Sequence, residues 1–129
     1  MKLFLSCCLS LFVTFCFSQD IKLRKKYLKN YKGIISSYEV NYNNNLVKIE
    51  ASEINIQLNK DSVYISIGSS KWVGTYTTIK SGKKSYELRG KMQGSGVLEV
   101  LSLNTKEKKI IRKGLFPQPD AELNCKKIN

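Results

Sequence analysis

Histidine is absent from this chain of 129 residues. That removes the side chain that most often carries protons near neutral pH, and the commonest metal ligand. Cysteine is scarce outside the start of the chain: Cys7, Cys8 and Cys16 precede a lone Cys125. One thiol in the body of the chain makes no intramolecular disulfide, so the fold rests on its core. Cys125 itself reads either as a free thiol near the end or as half of a bridge between two chains. Proline occurs only at Pro117 and Pro119. Acidic residues number 10 against 22 basic ones, for a net charge of +12. Long apolar runs are absent after the first 18 residues.

That first segment is distinctive. Met1-Lys2 is followed by 15 uncharged residues, Leu3 to Phe17, a length that suits a signal peptide and is short for a membrane span of about 20 residues. Cys16-Phe17-Ser18 sets small residues at the −3 and −1 positions, so cleavage after Ser18 is expected, leaving Gln19 first. The competing readings are an uncleaved anchor and a lipoprotein. Against the latter, only four residues precede Leu5-Ser6-Cys7-Cys8, too few for the apolar core that must come before a lipidation box, and Phe15 before Cys16 is too bulky for processing there. The expectation is an extracytoplasmic protein with no transmembrane anchor after cleavage: periplasmic, surface-bound or secreted. The absence of an N-x-Ser/Thr sequon despite ten Asn favours a bacterial source.

Residues 19–129 then form one domain, since about 110 residues suffice for a single core and not for two. Its charge would suit a nucleic-acid binder. Yet 19 of the 22 basic residues are Lys and only Arg24, Arg89 and Arg112 are Arg, the side chain that reads phosphates and bases bidentately. Ten Asn and twelve Ile beside the lysines match the usage of an A/T-rich genome, which accounts for part of the charge.

Leu23, Tyr27, Leu28 and Tyr31 fall at helical spacing, with Asp20 as a cap and Gly33 as a stop, predicting a helix over about 21–32. Its other face carries Lys22, Arg24, Lys25, Lys26 and Lys29. From Ile34 to Phe116 the period is two. Ile34, Ser36, Tyr38, Val40 and Tyr42 read as one strand face ending at Asn43-Asn44-Asn45. Val47, Ile49 and Ala51 lie on odd positions, then Ile54, Ile56 and Leu58 on even ones; a regular strand cannot change faces, so the chain bulges or breaks near Ser52. Val63, Ile65 and Ile67 follow, then a strand from Trp72 to Ile79. Tyr86, Leu88, Gly90 and Met92 alternate with Glu87, Arg89 and Lys91. Val97 to Leu103 and Ile110 to Phe116 complete the set, and 117–129 reads as an irregular tail.

Seven or eight strands in antiparallel succession close as a small barrel or pack as a sandwich. Closure leaves no exposed edge. A short helix ahead of such a meander is broadly similar in layout to the lipocalin-like, or calycin, architecture across about 80 residues; Trp72 and Gly74 stand close together but mid-chain, not on the first strand where lipocalins carry their Gly-x-Trp.

Chemistry-bearing motifs fail on inspection. Ser81-Gly82-Lys83-Lys84-Ser85 lacks the earlier glycine of a phosphate-binding loop, since position 77 is Thr, and a strand follows it. Gly90, Gly94 and Gly96 lack dinucleotide-binding spacing. No serine or cysteine has a histidine base to activate it. Glu39, Glu50, Glu53, Glu87 and Glu99 sit mostly opposite apolar positions, as solvated carboxylates do; glycoside chemistry would need two of them to converge in the fold. The expectation is a non-enzymatic binding protein with no catalytic, metal or cofactor residues. Its partner would be a small apolar molecule, another protein, or an anionic polymer such as a glycan, lipopolysaccharide or extracellular nucleic acid. Barrels of eight strands hold one small ligand or fill with side chains, so Trp72, Tyr76, Tyr86 and Met92 are the candidate cavity lining. The candidate anion-binding residues are Lys22, Arg24, Lys25, Lys26 and Lys29, with Lys106, Lys108 and Lys109.

Overall fold

A computed structural model describes residues 21–94 and 96–125. The expected signal peptide, residues 1–18, lies outside the described residues, as does the end of the expected tail, 126–129. The strands are β1 Asn30–Ile35, β2 Tyr38–Tyr42, β3 Asn45–Ile49, β4 Ser52–Leu58 and β5 Val63–Ile67, then β6 Ser70–Gly82, β7 Ser85–Met92, β8 Leu98–Asn104, β9 Lys109–Arg112 and β10 Ala121–Cys125. Eight of them close an antiparallel barrel in the order β1-β10-β9-β8-β7-β6-β5-β4, and β2 pairs with β3 alone. Barrel, not sandwich, is the outcome.

The ladder defines the barrel's stagger. From Gly33 it passes through Ile54 and Ile67 to Ser70 on β6. The other way round it passes through Leu123, Ile110, Leu103 and Tyr86 to Lys80, ten residues further along the same strand. At about 3.3 Å per residue and about 4.8 Å between strands, that stagger tilts the strands roughly 40° to the barrel axis. Strands so coiled approach one another closely. A Cβ at Gly33 would meet the Glu122 carbonyl oxygen, and one at Gly74 the Lys91 carbonyl oxygen, so glycine is required at both bends.

Period-two alternation sorts the interior. Ile54, Ile56 and Leu58 of β4, Val63 and Ile65 of β5, Leu88 and Met92 of β7, and Leu101 and Leu103 of β8 are all buried. Each drives closure by removing its apolar surface from water. The face switch near Ser52 is a break: the chain leaves the barrel after β1, makes the β2–β3 hairpin, and re-enters at β4. Asn43 and Asn44, both at positive φ (51° and 65°), form the two-residue hairpin turn whose twist matches the strands it joins.

Three expectations are corrected. The helix over 21–32 is replaced by one 3-10 turn, Lys25–Tyr27, followed directly by β1. The barrel needs a strand between β4 and β10, and short isolated helices are marginal, so sheet pairing captures Asn30–Ile35. Leu23, Tyr27 and Leu28 still pack on the core, while Tyr31 turns inward in β1, its hydroxyl donating to the Tyr27 carbonyl (2.9 Å). Gly33 lies mid-strand. In β1 the inward residues are Tyr31 and Ile35, leaving Ile34 65% exposed; the single strand expected from Ile34 to Tyr42 is two, and only in the second does the expected face, Tyr38 and Val40, turn partly inward. Finally, the tail is not irregular throughout: β9 ends at Arg112, a loop spans 113–120, and β10 closes the barrel by turning Ala121 and Leu123 into the core. Alternation across Ala121, Leu123 and Cys125 carried that signal.

Candidate functional site: the basic end of the barrel

Antiparallel connections alternate between the two ends of a barrel. One end therefore gathers the segment 21–29 before β1, the β4–β5 turn 59–62, the β6–β7 turn 83–84 and the β8–β9 turn 105–108. These segments hold ten basic residues (five in 21–29, with Lys60, Lys83, Lys84, Lys106 and Lys108) against two acidic ones, Asp61 and Glu107. The other end gathers the hairpin segment 36–51, the β5–β6 turn 68–69, residues 93–94 and 96–97 between β7 and β8, and the β9–β10 loop 113–120. It holds two basic residues, Lys48 and Lys113, against three acidic ones, Glu39, Glu50 and Asp120.

The walls do not dilute this asymmetry. Every acidic residue within a barrel strand is ion-paired to a strand cation: Lys32–Glu53 at 3.7 Å, Arg89–Glu87 at 2.9 Å, Lys109–Glu122 at 2.8 Å and Arg112–Glu99 at 2.9 Å. None of the ten cations of the basic end makes an ion pair among the described residues. Exposed pairs contribute little to stability; here their consequence is that the wall's own anions are spoken for.

The basic end is held by its backbone. The Ile21 N–H donates to the Thr78 carbonyl (3.4 Å), and the Leu58 N–H to that of Lys29 (3.1 Å), tying 21–29 to β6 and β4. Thr105 donates to the Lys84 carbonyl from both its N–H and its hydroxyl, each at 2.9 Å, which joins two turns. Asn104 Oδ1 accepts from the N–H groups of Lys106 (3.0 Å) and Glu107 (3.1 Å), shaping the turn that carries Lys106 and Lys108. Lys26 Nζ stands 5.1 Å from the Tyr27 ring centre, in range for a cation–π contact. Burial opposes ionisation of the Tyr27 phenol, but the Lys26 charge, the Thr105 hydroxyl and Arg24 together draw it below its ordinary value.

Of the eight candidate anion-binding residues, seven come together at this end. Lys109 does not: it faces the outer wall, where Glu122 pairs with it and raises its pKa. Sequence reasoning missed Lys60, Lys83 and Lys84. Counting alternate turns of the meander would have found them.

The candidate cavity residues face the interior as the alternation predicts, at separate levels. Trp72 pairs with Ile65, Tyr76 with Gly90 and Tyr86 with Leu103. Met92 is buried, and Trp72, Tyr76 and Tyr86 are partly buried against the core. The Tyr76 hydroxyl donates to the Asn59 carbonyl at 2.6 Å. Toward the hairpin end the interior carries an ion pair, although Glu99 reads from the sequence as a solvated carboxylate. Arg112 Nε and Nη2 donate to Glu99 Oε2 and Oε1 at 3.0 and 2.9 Å, and Arg112 Nη1 donates to Gln118 Oε1 at 2.6 Å. Glu99 shares parity with Leu101 and Leu103, and Arg112 with Ile110, so the signal was present. The bidentate geometry suits Arg and no lysine could replace it.

On the outer wall a groove of about 380 Å³ crosses β1, β4, β5 and β6. The row Lys32, Asn55, Ser66, Lys71 runs through it, and Asn55 Oδ1 is buried there without a hydrogen-bond partner among the described residues. No cluster of three or more Cys, Asp or Glu that could hold a metal occurs among the described residues. No family model, no curated protein and no solved structure matches the chain.

Proposed function

We propose that the protein is an exported, non-enzymatic binding module that docks its basic end on anionic polymers. One observation carries this reading: ten basic against two acidic residues on the segments of one end, with the opposite end at two against three. Cations so gathered release condensed counterions together when they meet a polyanion, which makes binding strong at low salt and steeply salt-dependent. Lysine suits the role, because point charges on flexible stems follow a polymer without reading it.

The competing reading, a small apolar ligand within the barrel among Trp72, Tyr76, Tyr86 and Met92, has less support. Fourteen buried apolar residues and the Arg112–Glu99 pair share that interior, and Leu23, Tyr27 and Leu28 pack against it from the basic end.

Retention on immobilised heparin tests the proposal. The protein is expected to elute above physiological salt, and its affinity for soluble heparin to fall steeply between about 50 and about 200 mM salt. Replacing Lys22, Arg24, Lys25, Lys26 and Lys29 by Gln should bring elution down to or below physiological salt. Elution of both proteins together at low salt would overturn the reading.

A further inference from the structure

The hairpin end exposes what the basic end does not. Among the large hydrophobic residues exposed to solvent, seven lie on the segments of the hairpin end: Tyr42, Leu46, Val47 and Ile49 on the hairpin segment, with Val97, Leu115 and Phe116 on other segments of that end. Ile21 alone lies on those of the basic end. A concentration of this kind marks an interaction surface. The hairpin is also structurally incomplete. Two-stranded sheets are marginal alone, and among the described residues β2 and β3 pair with each other and with no other strand.

β3 is the more open of the two. All five of its residues, Asn45 to Ile49, are exposed, whereas Tyr38 and Val40 of β2 are partly buried. Natural proteins protect such edges with charges, proline or bulges. The free edge of β3 carries one charge, Lys48, and neither proline nor bulge.

We propose that two copies of the chain pair antiparallel along β3, joining their hairpins into one four-stranded sheet. Charge selects this occupant. Two copies of a chain with net charge +12 repel each other least where the local charge is near zero, and the hairpin end, at two basic against three acidic residues, is that place. A lipid surface fits poorly, since interfacial segments bring cations beside their apolar face, and here the cations lie at the opposite end. Val47 stands at the middle of the strand, where a two-fold axis can pass. Pairing on a two-fold axis sets Val47 against Val47, Leu46 against Lys48 and Asn45 against Ile49, with Val47 and Ile49 on one face of the joined sheet. The basic ends would then point away from each other, giving the pair two anion-binding surfaces that bridge polymer strands and gain avidity.

Sedimentation of the purified protein over a roughly hundredfold dilution series should show a monomer–dimer equilibrium. Val47→Lys, which places like charges opposite each other on the axis, should give monomer at every concentration with an unchanged β-sheet spectrum. As a check independent of hairpin folding, Val47→Cys in a Cys125→Ser background should oxidise to a covalent dimer, while Lys83→Cys, at the far end, should stay monomeric. A wild type that is monomeric throughout, or a Val47→Cys protein that cross-links no faster than Lys83→Cys, would overturn the pairing and leave the patch to a different protein chain. Heparin retention depends on the other end, so either result leaves the proposed function to stand or fall by its own test.

Discussion

The two ends of this barrel are built from connections of one meander, yet they differ in almost every surface property. The basic end concentrates cations on turns pinned by backbone hydrogen bonds. The hairpin end is close to neutral, exposes apolar side chains, and hides its strongest charges inside as the Arg112–Glu99 pair. The difference teaches where each kind of residue does its work. Exposed lysines do not stabilise the fold, so their placement is free to follow a ligand. The buried pair is locked to the interior, and its loss is costly.

The largest expected effect follows from that pair. Arg112→Ala should destabilise the protein by about 3–5 kcal/mol, because it strands the Glu99 carboxylate inside the barrel. Combined Arg112→Met and Glu99→Leu should recover most of that loss in denaturant titrations. An unchanged midpoint for Arg112→Ala would mean that this end is wet. Next, Leu88→Ala, at a fully buried position, should cost roughly 2–5 kcal/mol, whereas Glu87→Ala beside it, on the outer wall, should cost about 0.5 kcal/mol or less. Equal costs would show that the β7 register is wrong. Leu46→Ser on the hairpin should also change stability by about 0.5 kcal/mol or less; a larger loss would make the exposed apolar patch part of the core.

Alkaline titration sharpens the comparison with smaller effects. Burial above all, and then Cys125 and Tyr27, raises the Tyr31 phenol above its ordinary value. Its stabilising contribution is therefore complete below about pH 10 and is lost as pH rises further, since the unfolded chain ionises there and the folded one does not. Tyr27, lowered by the basic field, has the opposite sign: it favours the folded state once pH exceeds the unfolded value. By absorbance, Tyr27→Phe should remove a phenol that titrates below about 10, and Tyr31→Phe one that ionises later. The reverse assignment would contradict the placement of Lys26 and Arg24 around Tyr27.

Much of this architecture was legible in the chain. Alternation located β4, β5 and β7 and their inward residues, because each is buried on one face only. Helical spacing at Leu23, Tyr27, Leu28 and Tyr31 misled because a strand between β4 and β10 outweighs local propensity, which is a long-range demand. Glu99 was misplaced because charge was read as exposure, although its parity matched buried neighbours, and Arg112, which shares the parity of Ile110, drew no placement. The basic cluster was legible in part: Lys22 to Lys29 by proximity, Lys106 and Lys108 by their turn, Lys60, Lys83 and Lys84 only once the strands assign turns to ends.

The most direct test of the central claim holds charge constant and varies position. One variant replaces Lys22, Arg24, Lys25, Lys26 and Lys29 by Gln; the other replaces Lys32, Lys48, Lys71, Lys91 and Lys113, which lie on the walls and the hairpin end. Both lose five positive charges, and elution from heparin is compared with that of the wild type. Retention should collapse in the first variant and stay near wild type in the second. Equal losses would show that total charge governs binding and that the two ends are electrostatically equivalent.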